Sequence, residues 1–134
     1  MTHAERQSGF TLIELIIVFT MIGILVGLAL PEFRHATTKA REATLREDLF
    51  TLRKLIDQYA TDKGKSPATL QTLVDEGYLR KIPIDPLTNL SDTWIEVREE
   101  PKADDIEAGF QPGIIDVRSG SEKIGLDGTV YNTW

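Results

Sequence analysis

Apolar residues crowd one end of this 134-residue chain and are thinly patterned over the rest. From Phe10 to Leu30 it reads FTLIELIIVFTMIGILVGLAL, 21 residues with one charge, Glu14. As a helix rising ~1.5 Å per residue, this run covers about 32 Å, enough to cross the hydrocarbon core of a bilayer. A helix satisfies its own backbone hydrogen bonds, which lipid cannot do, so a single membrane-spanning helix is predicted. Pro31, Glu32 and Arg34 limit the run on one side, and nine polar residues, MTHAERQSG, precede it. Beyond Pro31 the pattern thins to a stripe. Leu45, Leu49, Leu52, Ile56 and Tyr59 recur at steps of four and three, behind Ala36, Ala40 and Ala43. That spacing predicts an amphipathic helix to about Thr61 with its large residues in a core.

Asp62-Lys63-Gly64-Lys65 closes that helix. Ser66-Pro67 has the form of a cap followed by a first-position proline, predicting a short helix over Ala68–Glu76 stopped by Gly77. After Asp85-Pro86 the period becomes two. Thr93 to Arg98 and Ile114 to Arg118 read as strands, with Ile95/Val97 and Ile115/Val117 facing one way. The acidic, Gly/Pro-punctuated stretch from Glu99 to Gly113 reads as a loop. Two strands are too few to stand alone, so the sheet must pack on the long helix. The expected class is α+β: a long N-terminal helix, half transmembrane, packed on a small antiparallel β-sheet.

Ser8-Gly9-Phe10-Thr11-Leu12-Ile13-Glu14 resembles the class III signal of type IV pilins and type II secretion pseudopilins. The resemblance implies cleavage between Gly9 and Phe10 by a prepilin peptidase, with N-methylation of the new Phe10 amine. It makes residues 1–9 a leader, 10–30 the transmembrane and filament-core helix, and 31–134 a periplasmic pilin-like domain. It also places Pro31 where the family carries a proline, and implies that Glu14 neutralises the amine of a neighbouring subunit and sets filament register. The physics agrees, since a carboxylate inside lipid costs on the order of 2.5–3.5 kcal/mol at a helix centre and needs a partner. Two plainer readings stand beside it: Glu14 snorkels to the interface, or pairs with its own Phe10 amine about 6 Å along the helix. Gly23 and Gly27 form a GxxxG pattern, either a close helix–helix contact or a softening of the helix next to Pro31.

Gly77-Tyr78-Leu79 followed by Pro83-Ile84-Asp85-Pro86 resembles the middle of the type II secretion major pseudopilin. What this implies is a structural subunit that polymerises into a pseudopilus driving protein secretion. Its partners would be further copies of the chain in a helical filament, the prepilin peptidase, the inner-membrane assembly platform and minor pseudopilins. Its place would be the bacterial inner membrane, with the C-terminal domain in the periplasm. The alternatives are a type IV pilin for adhesion, motility or DNA uptake, and a membrane-tethered periplasmic binding domain. A removed secretory signal is a further reading, but the apolar run exceeds the roughly 7–15 residues such signals use. Arg34, Lys39, Arg41 and Arg46 after the span pull the positive-inside rule the opposite way from this orientation.

Asp116 to Gly120 and Leu126-Asp127-Gly128 resemble the C-terminal loop in which major pseudopilins hold calcium. The resemblance implies Asp127, with Asp116, as calcium ligands, although the family's further acidic residue has no counterpart here. Asp-Gly is also an ordinary turn.

Composition narrows the remaining classes. With no cysteine there is no disulfide framework, thiolate zinc site or cysteine nucleophile. Two histidines, His3 and His35, leave little for imidazole catalysis, and no nucleophile–base pair or phosphate loop appears, so no enzyme is expected. The net charge of −6 disfavours phosphate neutralisation, so no nucleic-acid partner is expected. The charge is uneven: residues 85–134 carry 11 acidic and 4 basic side chains, residues 31–84 carry 8 and 10. Such polarity suits head-to-tail contacts between copies.

Overall fold

Helix α1 runs unbroken from Leu12 to Lys63 in the structure, a computed structural model that describes residues 9–104 and 109–134. The leader before Gly9, His3 and the centre of the acidic loop lie outside the described residues. Pro31 sits inside α1 without ending it. The predicted span and the predicted amphipathic helix are thus one element.

Two compact units divide the chain, residues 1–37 and 38–134. The first holds the apolar part of α1, whose most hydrophobic 18-residue window has no buried side chain. Its Leu, Ile, Val and Phe side chains are exposed on every face, as expected of a helix meant for lipid or for other copies of itself. By length and composition this is a helix able to cross a membrane.

The second unit is built on the remainder of α1. Leu45, Leu49, Leu52, Ile56 and Tyr59 are all buried, as their spacing predicts. Against them pack α2 (Leu70–Asp75), through Leu70 and Leu73, and a two-stranded antiparallel sheet of β1 (Ile95–Arg98) and β2 (Ile114–Arg118). Ile114, Val117, Trp94 and Tyr131 complete the core. A short 3-10 turn, Tyr131–Thr133, follows at the C-terminal end.

Two local expectations are corrected. The N-cap of α2 is Thr69, not Ser66: Thr69 and Thr72 cap each other's backbone, and Ser66 instead bonds the Glu99 carboxylate. The hydroxyls at i and i+3 make a reciprocal box, which outcompetes a proline-led start. Gly77 does stop this helix, with φ at +81°, a conformation open to glycine.

The face of β1 is also the reverse of that expected. Ile95 is exposed, whereas Trp94 is buried with its indole N–H donating to the Pro83 carbonyl at 2.8 Å. Glu96 accepts the Leu70 N–H at 2.9 Å. In β2 the buried residues are Ile114 and Val117, with Ile115 exposed, so strict alternation fails. The pairing register slips between Val97 and Arg98, and such an irregularity rotates side chains out of the period-two pattern.

Candidate functional site

Three features bear the functional readings: the mouth of α1, the buried turn at Asp85, and the segment after β2. At the mouth, Phe10 is 94% exposed. Thr11 and Glu14 close the helix start reciprocally. The Thr11 N–H donates to Glu14 Oε2 at 2.8 Å, and the Glu14 N–H donates to Thr11 Oγ1 at 3.3 Å. This is a capping box of the Thr-x-x-Glu form. Glu14 therefore has a partner within its own chain, one that neither snorkelling nor pairing with the Phe10 amine describes. Gly9 follows no helical geometry, and a Cβ there would meet nothing within 4 Å. A Cβ at Gly23 or Gly27 likewise meets nothing, so neither glycine is needed by a contact among the described residues.

Asp85, in the Pro-x-Asp-Pro turn, is fully buried. Its Oδ1 accepts from the Leu87 N–H at 2.8 Å; its Oδ2 accepts from Ser119 Oγ at 2.6 Å and the Gly120 N–H at 3.3 Å. One carboxylate thereby ties the turn before β1 to the chain leaving β2. Gly120 must be glycine, because a Cβ would stand 2.0 Å from the Thr93 carbonyl oxygen. Asp48 on α1 feels this buried charge. Partial burial first, then the like charges of Asp85 and Glu47, hold its carboxyl above the ordinary range.

The segment after β2 returns to α1, where two side chains hold it. Glu42, 4% exposed, accepts at Oε1 from the Leu126 N–H at 2.7 Å and from the Tyr131 hydroxyl at 2.8 Å. Burial, then the bond to Glu42, pushes the Tyr131 phenol up to about 12. Arg53 donates from Nε to Asp116 Oδ1 at 2.6 Å, and from one terminal nitrogen to the Val117 and Trp134 carbonyl oxygens at 3.1 and 2.8 Å. The Arg46 guanidinium lies 4.4 Å from the centroid of the Trp134 ring. Tyr131 and Trp134 meet edge to face and pack on α1 as well as beside the sheet.

These placements bear directly on the residues proposed for calcium. Asp116 is committed to Arg53 and to the Val117 N–H at 2.7 Å. Asp127 closes a turn, its Oδ1 accepting from the Thr129 N–H at 2.9 Å and the Thr129 hydroxyl at 2.6 Å. The Thr129 bonds, with Arg46 nearby, hold the Asp127 carboxyl below the usual range. Among the described residues no three Asp, Glu or His side chains are grouped as a metal requires. Calcium takes six to eight oxygens, and the oxygens gathered here surround a guanidinium. Asp116 and Asp127 thus each have partners within the chain in this fold.

Glu42 was missed in the sequence, yet carries a signal. It lies on the buried stripe, three and seven residues before Leu45 and Leu49, and a charge at a core-spaced position needs a buried partner.

Comparison with known proteins reaches about two thirds of the chain. The prokaryotic N-terminal methylation motif matches residues 5–30. The type II secretion system core protein G of Pseudomonas aeruginosa is 32% identical over 101 residues, covering 63% of this chain and 71% of that protein. That of Aeromonas hydrophila is 33% identical over 101 residues, with the same coverages, and that of Escherichia coli 30% over 105, covering 66% and 72%. No solved structure matches the chain significantly. A methylation motif at the mouth of an exposed apolar helix, continuous with a small α+β domain, agrees with these relatives, and the chain belongs to the type II secretion system core protein G family, the major pseudopilins.

Proposed function

We propose that the chain is a structural subunit cut between Gly9 and Phe10, methylated on Phe10, and polymerised through the apolar part of α1 into a pseudopilus serving type II secretion. The observation that carries this is the helix mouth: an exposed Phe10 after a glycine, with Glu14 capping the first turn of a helix bare on all sides. An apolar helix without an intramolecular partner is covered either by lipid or by identical helices. In the membrane Glu14 keeps its bond to the Thr11 N–H. In the filament the same carboxylate meets the methylated amine of a neighbour's Phe10, a cation at neutral pH, and so fixes register among interchangeable apolar contacts. Pro31 lies at the end of this filament-core segment. The domain that follows is periplasmic, and the partners are further copies, the prepilin peptidase, the inner-membrane assembly platform and minor pseudopilins. The contribution to secretion is mechanical: subunits added at the membrane extend a fibre.

Co-expression with a prepilin peptidase and intact-mass measurement tests this. The expected product begins at Phe10 and carries one added methyl group. A product beginning at Leu30 would mark a secretory signal, and an uncut Met1 a plain anchor; either would overturn the proposal.

A further inference from the structure

Glu42, Arg46 and Arg53 lie on one face of α1, spaced by four and seven residues, and each reaches the segment that follows β2. Glu42 holds its near part through the Leu126 N–H and the buried Tyr131 hydroxyl. Arg53 holds its far end through the Trp134 oxygen, and in the same gesture binds the Asp116 carboxylate and the Val117 carbonyl of β2. Arg46 covers the Trp134 ring. Three oxygens of the kind that ligate a hard cation thus converge on a charge the chain already owns.

We propose that these side chains form a built-in clasp that fastens the C-terminal segment to α1 without a divalent cation, the Arg53 guanidinium holding the place that the family resemblance gives to calcium. A dication entering between Asp116 and the Trp134 oxygen has to displace a guanidinium held by three acceptors, or sit beside its charge. Asp127 offers no better seat. Its groove, of about 780 Å³, is also lined by Arg46, Arg53 and Lys54, three cations against Asp57 and Asp127. The clasp lies wholly within the second unit.

The test uses the full chain in detergent micelles. Melting followed by tryptophan fluorescence is compared in excess EGTA and in millimolar calcium. The midpoints are expected to agree within about 1 °C, whereas a native-state site filled at ~100 times its Kd would raise the midpoint by roughly 10 °C. A calcium-dependent rise of that size overturns the proposal, and this arm needs no variant. The second arm measures amide exchange in EGTA. Arg53→Met is expected to speed exchange at Leu126, Tyr131 and Trp134 by about ten- to a hundredfold, and Arg53→Lys, which keeps a charge but not the fork, by less. Unchanged exchange in Arg53→Met overturns the clasp. Glu42 gives the matching pair: Glu42→Gln keeps an acceptor for Leu126 and Tyr131, so its exchange is expected to stay within about threefold of the parent while Glu42→Ala loosens the segment about tenfold or more. Equal effects of the two would remove Glu42 from the clasp.

Discussion

Replacing Asp85 by alanine should destabilise the exported domain well beyond an ordinary surface substitution. The carboxylate is fully buried and satisfies three donors, the Leu87 N–H, the Ser119 hydroxyl and the Gly120 N–H, with Ser119 itself fully buried. Each buried donor left unpaired costs about 1–3 kcal/mol. The 3.3 Å bond from Gly120 is long and belongs at the low end. Against the sum stands the relief of no longer desolvating a carboxylate, which leaves a net loss of about 2–4 kcal/mol. For a chain of this size, with roughly 4 °C per kcal/mol, Asp85→Ala should lower the melting midpoint by about 8–16 °C. Asparagine keeps an acceptor for Leu87 but turns an N–H₂ toward the Gly120 N–H, so Asp85→Asn should lose about half as much. Ser119→Ala isolates one partner. In the double variant the orphaned hydroxyl is gone, so its loss should fall short of the two single losses combined by about 1 kcal/mol. The assay is thermal melting followed by Trp94, whose indole is bonded to Pro83 in the same turn. A midpoint for Asp85→Ala within about 2 °C of the parent, or strictly additive losses, would refute the account of Asp85 as the knot between the two segments.

Gly120→Ala should be worse than most core truncations, since its Cβ would stand 2.0 Å from a backbone oxygen; failure to purify folded chain, or a midpoint lowered by about 10 °C or more, is the expected result of calorimetry. Asp48→Asn should raise the midpoint at neutral pH by on the order of 1–3 °C, because the folded chain holds this carboxyl above its ordinary value and so prefers it uncharged. The sign fixes the pH window: the parent is destabilised as pH rises toward the raised value, so parent and variant should converge below the ordinary carboxylate value of 3.8, and a gap that persists there would refute the cause. Glu14→Ala should leave membrane insertion intact and cut incorporation into fibres about tenfold or more, while Thr11→Val, which keeps the N–H that Glu14 accepts, should stay within about threefold. Equal defects in sheared-fibre immunoblots would reduce Glu14 to a helix cap.

The long helix was legible because both of its environments write on it directly. An unbroken apolar run needs nothing but lipid or like helices, and the Leu45 to Tyr59 stripe needs only one buried face. Both readings survive in α1 and its core. The strands were legible as strands and misread as faces, because a period of two assumes an even ladder. Here β1 is turned by Trp94 reaching Pro83 and by Glu96 capping α2, neither of which is local in sequence. The start of α2 failed for a smaller reason: two threonine hydroxyls at the right spacing outweigh a serine before a proline.

Two glutamates of one helix mark the limit of such reading. Glu14 stands out because everything around it is apolar, so its cost in lipid demands a partner and draws attention to the helix mouth. Glu42 sits among ordinary charges, and only its position on the buried stripe betrays it. Its partners, Leu126 and Tyr131, lie 84 and 89 residues away, and no window over the sequence contains them together. The same holds for Asp85 and Ser119, and for Arg53 and Trp134. With two strands among the described residues, apolar burial is modest, and buried polar ties of long sequence separation do the remaining work of fixing where the C-terminal segment lies. Such ties are satisfied only in the finished fold. What the sequence conceals is therefore concentrated in the pairing of charges across the domain, while the mouth of the apolar helix is written in a short, contiguous motif.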